Sequence, residues 1–244
     1  MSIATRLEAI RRNLPPDVQL VAVSKYHSEG EIMEAYAHGQ RDFGENLPQE
    51  LHRKALNLPT DIRWHLIGHL QRNKVRLIVP HVSLIQSVDS LRLLRTINDC
   101  ALSVGRSIDY LLQIHIAQEQ TKFGLTPTEC LALLSSPEWR DLTCVRLRGL
   151  MCIATNTSDT TLLSSEFRQM QTLFNTIHSS LLTPPPLQGE DGRGLLTPHS
   201  SLLTPHSSFN LRSWGMSNDY TLATAYGSNM VRIGTAIFGP RPSK

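Results

Sequence analysis

Lys25 closes the run Gln19-Leu20-Val21-Ala22-Val23-Ser24-Lys25, an apolar, β-branched stretch that reads as a buried strand with an amine at its carboxyl end. Burial disfavours the ammonium form, so an amine placed there can lose its proton near neutral pH and attack a carbonyl. The chain holds five lysines against nineteen arginines, and Lys25 alone follows a hydrophobic run directly. A strand-end lysine can equally snorkel into water, so its role rests on what the other strand ends supply. Near the other end of the chain, Gly215-Met216-Ser217 and Gly234-Thr235 offer hydroxyls beside glycines that let backbone amides approach an anion. Arg232 stands in the otherwise apolar Met230-Val231-Arg232-Ile233-Gly234. An inward guanidinium there needs a carboxylate, such as Glu45 or Asp89, or a ligand acceptor. An imine-forming lysine, a phosphate cradle and a buried arginine together describe a pocket for pyridoxal 5′-phosphate (PLP).

These residues need elements that bring the two ends of the chain together. Strand-like segments are expected at Lys25 and its preceding run, then at 42–45, 63–68, 83–88, 110–116, 147–153, 211–216 and 230–233. Helical segments at 28–38, 47–58, 71–78, 91–104, 127–134, 160–177 and 220–225 separate them, with Asp89 or Ser90 and Thr126 as N-caps. Eight strands in alternation with helices imply parallel pairing through right-handed crossovers, and a closed (β/α)₈ barrel, the TIM barrel, rather than an open sheet. No Gly-x-Gly-x-x-Gly follows the first strand, which weakens a dinucleotide-binding open sheet further. Ile3, Leu7, Ile10 and Leu14 mark one face of an N-terminal amphipathic helix packed on the barrel.

With 244 residues and 40% hydrophobic content, the chain can form one barrel domain, 1–244, with a real core. The formal charge of +3 is spread over scattered arginines, which argues against a nucleic-acid surface. Cys100, Cys130, Cys144 and Cys152 form no CxxC pair, so a reduced, cytoplasmic chain is expected. No apolar stretch reaches membrane-spanning length. One segment breaks the rhythm: His178-Ser179-Ser180-Leu181-Leu182-Thr183-Pro184 recurs verbatim as 199–205. Prolines and the run Gly189-Glu190-Asp191-Gly192 exclude a continuous helix, so residues 181–207 read as a low-complexity, disordered surface insertion.

Nine ordered motifs carry a resemblance. They include Val23-Ser24-Lys25, Phe43-Gly44-Glu45-Asn46, Trp64-His65-Leu66-Ile67-Gly68, Leu70-Gln71-Arg72-Asn73-Lys74, Ser87-Val88-Asp89-Ser90 and Thr121-Lys122-Phe123-Gly124-Leu125. Gly149-Leu150-Met151, Gly215-Met216-Ser217-Asn218-Asp219 and Val231-Arg232-Ile233-Gly234-Thr235 complete the set. From residue 20 to 240, outside the repeat, the chain resembles the pyridoxal phosphate homeostasis proteins. The resemblance implies a fold-type III barrel related to the N-terminal barrel of alanine racemase, with PLP held as an imine (Schiff base) on Lys25. It further implies that Ser217, Gly234 and Thr235 hold the phosphate, that Arg232 faces the pyridine nitrogen, and that Asn46, His65, Ser87 and Met151 line the pocket. Trp214 stands where the family has a methionine, adding bulk beside the phosphate loop.

A cation opposite the pyridine nitrogen disfavours its protonation and weakens the electron sink. Racemases with this barrel use a second base from an extra β-domain and a partner subunit, for which this chain leaves no room. A monomeric carrier is therefore expected, one that stores PLP or delivers it to apoenzymes. A PLP-dependent racemase is the alternative. A metal-dependent hydrolase built on His65 and His69 is the weaker third reading, because Gly68 separates the two and no HxH motif supports it.

Overall fold

Most strands of this chain are short, largely apolar runs, each of the first seven is followed by a crossover helix, and that order decides the architecture. In a computed structural model, which describes residues 1–117, 123–182 and 209–240, helix α1 (Ile3–Asn13) leads into eight parallel strands. The strands are β1 (Gln19–Val23), β2 (Asp42–Glu45), β3 (Arg63–Leu66), β4 (Val82–Val88), β5 (Ile108–Ile114), β6 (Val145–Cys152), β7 (Leu211–Ser213) and β8 (Met230–Ile233). They pair in chain order, and β1 closes on β8 through Gln19↔Met230 to Ala22↔Ile233. This is the expected closed (β/α)₈ barrel.

The helices start where the local chemistry dictates. Ser28 and Glu31 form a reciprocal capping box at α2 (Glu29–Ala37), and Thr126 with Glu129 does the same for α6 (Pro127–Ser135). Ser90 rather than Asp89 caps α5 (Leu91–Ser103). Helices α3 (Pro48–Asn57), α4 (Val75–Ile78), α8 (Thr160–Leu182) and α9 (Tyr220–Ala225) complete the crossovers, and α10 (Thr235–Phe238) follows the last strand. One turn, α7 (Pro137–Arg140), was not anticipated. Helix α8 runs past Ile177 to Leu182 because nothing before Pro184 breaks it. The rest of the expected insertion, 183–207, lies outside the described residues.

Strands β5 and β6 begin two residues earlier than their apolar runs. Asp109 accepts from Arg146 Nε at 2.6 Å and Arg148 Nη1 at 2.5 Å, so cross-strand ion pairs extend the ladder beyond the hydrophobic stretch. Alternation along β1 sorts two cores. Val21 joins Leu84, Leu111, Met151 and Met230 in one cluster, while Leu20 and Ala22 belong to a larger one with residues of the surrounding helices. Buried Ile3, Leu7 and Ile10 seat α1, and Arg6 Nε donates to the Ile237 carbonyl at 2.5 Å.

Candidate cofactor site

Parallel pairing puts every strand's carboxyl end on one rim of the barrel. Lys25, half-buried, lies two residues beyond the last residue of β1; Ser217 lies in the turn between β7 and α9, and Gly234 links β8 to α10, whose first residue is Thr235. Because β1 and β8 are neighbours, the two ends of the chain meet there. A Cβ on Gly234 would stand 3.1 Å from the Val23 carbonyl oxygen, so glycine lets β8 turn this close to the end of β1 without pushing the neighbouring strand aside by a few tenths of an ångström. Gly215 has φ +96°, and a Cβ on it would lie 2.7 Å from the Ala223 side chain. Arg232 N donates to the Gly215 carbonyl at 3.0 Å, tying β8 to the loop after β7. A cavity of about 580 Å³, lined in part by Thr157, Ser158, Asn218 and Asp219, adjoins the Ser217 turn. Burial raises the Asp219 carboxyl above its ordinary value.

Beneath Lys25 lies a buried ion cluster. Lys54 Nζ, fully buried on α3, donates to the Ser24 carbonyl at 2.8 Å, Glu45 Oε1 at 2.7 Å and Glu50 Oε1 at 2.8 Å. Ser24 Oγ donates to the same Glu45 oxygen at 2.6 Å, while Glu45 Oε2 has no hydrogen-bond partner. Burial outweighs the attraction of Lys54 and pushes the Glu45 carboxyl up to about 7. Tyr26 takes φ +68°, a left-handed conformation that costs a non-glycine residue about 1–2 kcal/mol. Its N–H donates to Glu50 Oε1 at 2.8 Å. The sequence assigned Glu45 only a buried partner and gave Lys54 no role. The missed signal is the stripe Pro48, Leu51, Lys54, Leu58, which places Lys54 on the face of α3 that is otherwise apolar.

Arg232 is buried among neutral acceptors. Nη1 donates to the Ser213 carbonyl at 2.7 Å and to Ser213 Oγ at 2.5 Å, and Nη2 to the Cys152 carbonyl at 2.7 Å. Neither Glu45 nor Asp89 pairs with it, and burial lowers its pKa from the ordinary arginine value. From Ser213 a chain of donors continues through the barrel. Ser213 Oγ donates to Gln86 Oε1 at 2.6 Å, Gln86 Nε2 to His65 Nδ1 at 2.9 Å, and His65 Nε2 to Asp42 Oδ1 at 3.1 Å. Burial acts to raise the Asp42 carboxyl, but hydrogen bonds from His65 and Arg63 outweigh it and hold it well below the usual carboxylate range. His65 therefore has both ring nitrogens engaged inside the barrel.

The remaining expected lining residues divide by environment. Asn46 is half-buried, and its backbone crowds Gly68, where a Cβ would meet the Asn46 carbonyl oxygen at 2.3 Å. Met151 is fully buried beside Val21 and Leu111. Ser87 is fully buried and its Oγ has no hydrogen-bond partner, an expensive state for a hydroxyl unless a ligand supplies one. Trp214 joins the core cluster that holds the helix residues, whereas its neighbour Ser213 bonds Arg232 and Gln86, so the indole's bulk does not lie with the Arg232 network. His69 stacks on Phe123 at 3.9 Å and its Nδ1 lies 3.5 Å from Asp89, apart from the partners of His65. Among the described residues no group of three or more His, Cys, Asp or Glu is placed to hold a metal. An amine, hydroxyls at Ser217 and Thr235, an unsatisfied hydroxyl at Ser87 and a buried guanidinium suit a phosphorylated aldehyde better than a metal ion.

Residues 1–242 match the family described as alanine racemase, N-terminal domain, which gives the class: a fold-type III barrel. Pyridoxal phosphate homeostasis proteins from Schizosaccharomyces pombe (33% identical, spanning 93% of this chain and 86% of theirs) and Escherichia coli (35%, 93% and 87%) are similar along nearly all their length. The solved structure of PipY from Synechococcus elongatus with PLP bound superposes with TM-score 0.80 at 36% identity, covering 98% of this chain and 100% of that one. Alanine racemase from Clostridium difficile shares the fold alone, with TM-score 0.70 at 15% identity over 100% of this chain and 61% of that one. The chain belongs to the pyridoxal phosphate homeostasis protein family.

Proposed function

We propose that the protein binds PLP through the Lys25 amine and holds it for delivery, buffering the free cofactor without efficient turnover of amino acids. The observation that carries this reading is the shared rim: Lys25 lies two residues past the end of β1, and Gly234 abuts Val23 on the neighbouring strand. The PLP found in PipY and the homeostasis role named for the relatives support it. When bound, the cofactor supplies an aldehyde that an amine can capture and a ring that withdraws electrons. Ser217, Gly234 and Thr235 would hold the phosphate, Arg232 would face the ring nitrogen, and Asn46, His65, Ser87 and Met151 would line the pocket.

Arg232 also favours a carrier over a racemase. Its cation has no carboxylate within ion-pair distance among the described residues, so it disfavours protonation of a ring nitrogen placed opposite it. The setting we assign is the cytoplasm, with a monomer passing PLP to apoenzymes that require it. Among the described residues no helix is long and apolar enough to cross a membrane. The test is spectroscopic. Purified protein should carry a visible absorbance band that borohydride removes, with the added mass on the Lys25 peptide, and Lys25→Ala should lose both. Steady racemisation of an amino acid by pure protein, abolished by Lys25→Ala, would establish the racemase instead.

A further inference from the structure

Both peptide units that flank Lys25 are hydrogen-bonded to the same buried cluster. The Ser24 carbonyl, on the peptide before Lys25, accepts from Lys54 Nζ at 2.8 Å. The Tyr26 N–H, on the peptide after it, donates to Glu50 Oε1 at 2.8 Å. Lys54 joins these two anchors by bonding Glu50 at 2.8 Å, and its third donor goes to Glu45 at 2.7 Å, so all three ammonium donors are used. The Ser24 hydroxyl adds a further tie to Glu45 at 2.6 Å. A left-handed non-glycine residue such as Tyr26 persists only where its surroundings over-determine it, and the Glu50 contact is one such constraint.

We infer that Lys54, Glu45 and Glu50 are positioning residues for Lys25, fixing the two peptides around it so that its amine is presented for aldehyde capture at the strand end. This deepens the proposed function and rests on Lys25 being the PLP-capturing group. None of the three touches the cofactor in this role. Glu50 is the informative member, because it holds the Tyr26 amide and its side chain is 12% exposed, which makes it replaceable without opening the core.

The experiment compares wild type, Glu50→Ala and Glu50→Gln. Lys25 in cofactor-free protein is labelled with trace acetic anhydride and quantified against the Lys74 peptide, and PLP capture is followed by absorbance. Glu50→Gln keeps an acceptor for the Tyr26 N–H; Glu50→Ala does not. Positioning predicts that Glu50→Ala slows capture by about tenfold and shifts the Lys25 labelling ratio, while Glu50→Gln restores both to within about twofold. Equal labelling and capture across the three proteins overturns the assignment. Should Glu50→Ala not fold, the paired change Glu45→Gln/Lys54→Met releases the Ser24 carbonyl while removing both buried charges together, and the same slowing is expected. Equal rates in that variant also overturn it. If wild type traps no cofactor on Lys25, the functional reading fails, and the labelling ratio still decides the positioning.

Discussion

Among the described residues, two lysine or arginine cations are buried in this barrel, and they are satisfied in opposite ways. Lys54 sits between the carboxylates of Glu45 and Glu50. Arg232 is held by two backbone carbonyls and a serine hydroxyl, with the Asp219 carboxylate acting on it through space and Asp42 reached through Ser213, Gln86 and His65. A lysine neutralised by its neighbours presents little field to a ligand, so its work is structural. A guanidinium fixed by dipoles stays cationic despite burial and keeps its charge for an incoming acceptor. On the proposed function, the cluster beside β1 would frame the amine of Lys25, and Arg232 on the neighbouring β8 would supply recognition.

The contrast can be broken most severely at Lys54. Lys54→Met strands two carboxylates, one of them fully buried, and should cost about 3–5 kcal/mol in denaturant unfolding. A loss below about 1 kcal/mol would mean the cluster is not a structural frame. Next in size is the response to pH. Burial raises the Glu45 carboxyl from 4.5 to about 7, so the folded chain keeps a proton that the unfolded chain releases. The resulting stability is fully present below the unfolded value and is lost as pH rises through the folded one. Wild type should therefore lose no more than about 3 kcal/mol between pH 5 and pH 8 from this group. Glu45→Gln should flatten that slope, and an unchanged slope would assign it elsewhere.

Arg232→Met probes the neighbouring strand. It leaves buried oxygens of Ser213 and Cys152 without their donor, at about 1–3 kcal/mol, less than Lys54→Met. Yet PLP affinity, measured by equilibrium titration, should fall at least about tenfold, roughly 1.4 kcal/mol. Wild-type affinity in this variant would remove the recognition half of the comparison. The smallest effect on folding belongs to Ser87→Ala. Its hydroxyl has no partner to lose, so cofactor-free stability should stay within about 0.5 kcal/mol, while PLP titration shows weaker binding. A clear loss of stability without PLP would show that the hydroxyl already has a partner.

The barrel was legible because its signals are local. Apolar runs such as Leu20-Val21-Ala22-Val23 and caps such as Ser28 and Thr126 specify elements one at a time, and eight alternations leave few topologies. Lys25, Gly234 and the burial of Arg232 were legible for the same reason. The partners of Arg232 were not, since two of its acceptors are main-chain carbonyls on β6 and β7, far away in sequence and carrying no residue signature. Lys54 was hidden because Glu50 and Lys54 are four apart, the spacing of an ordinary exposed pair. His65 was expected at the pocket wall, but its ring also reaches Asp42 at the start of β2, a choice that only the register Gly44↔His65 reveals.

Strand β7 is only three residues long, and it meets β8 through the single register pair Ser213↔Met230, whereas β1 and β8 share four. That seam leans on bonds at its margins, Asn229 N to the Arg212 carbonyl at 3.1 Å and Arg232 N to the Gly215 carbonyl at 3.0 Å, so it should breathe first, with deuterium entering its amides ahead of those in β1. Each such opening would slacken the Ser217 turn and the oxygens gripping Arg232 together, giving a captured vitamin a way out without unfolding the staves that carry Lys25.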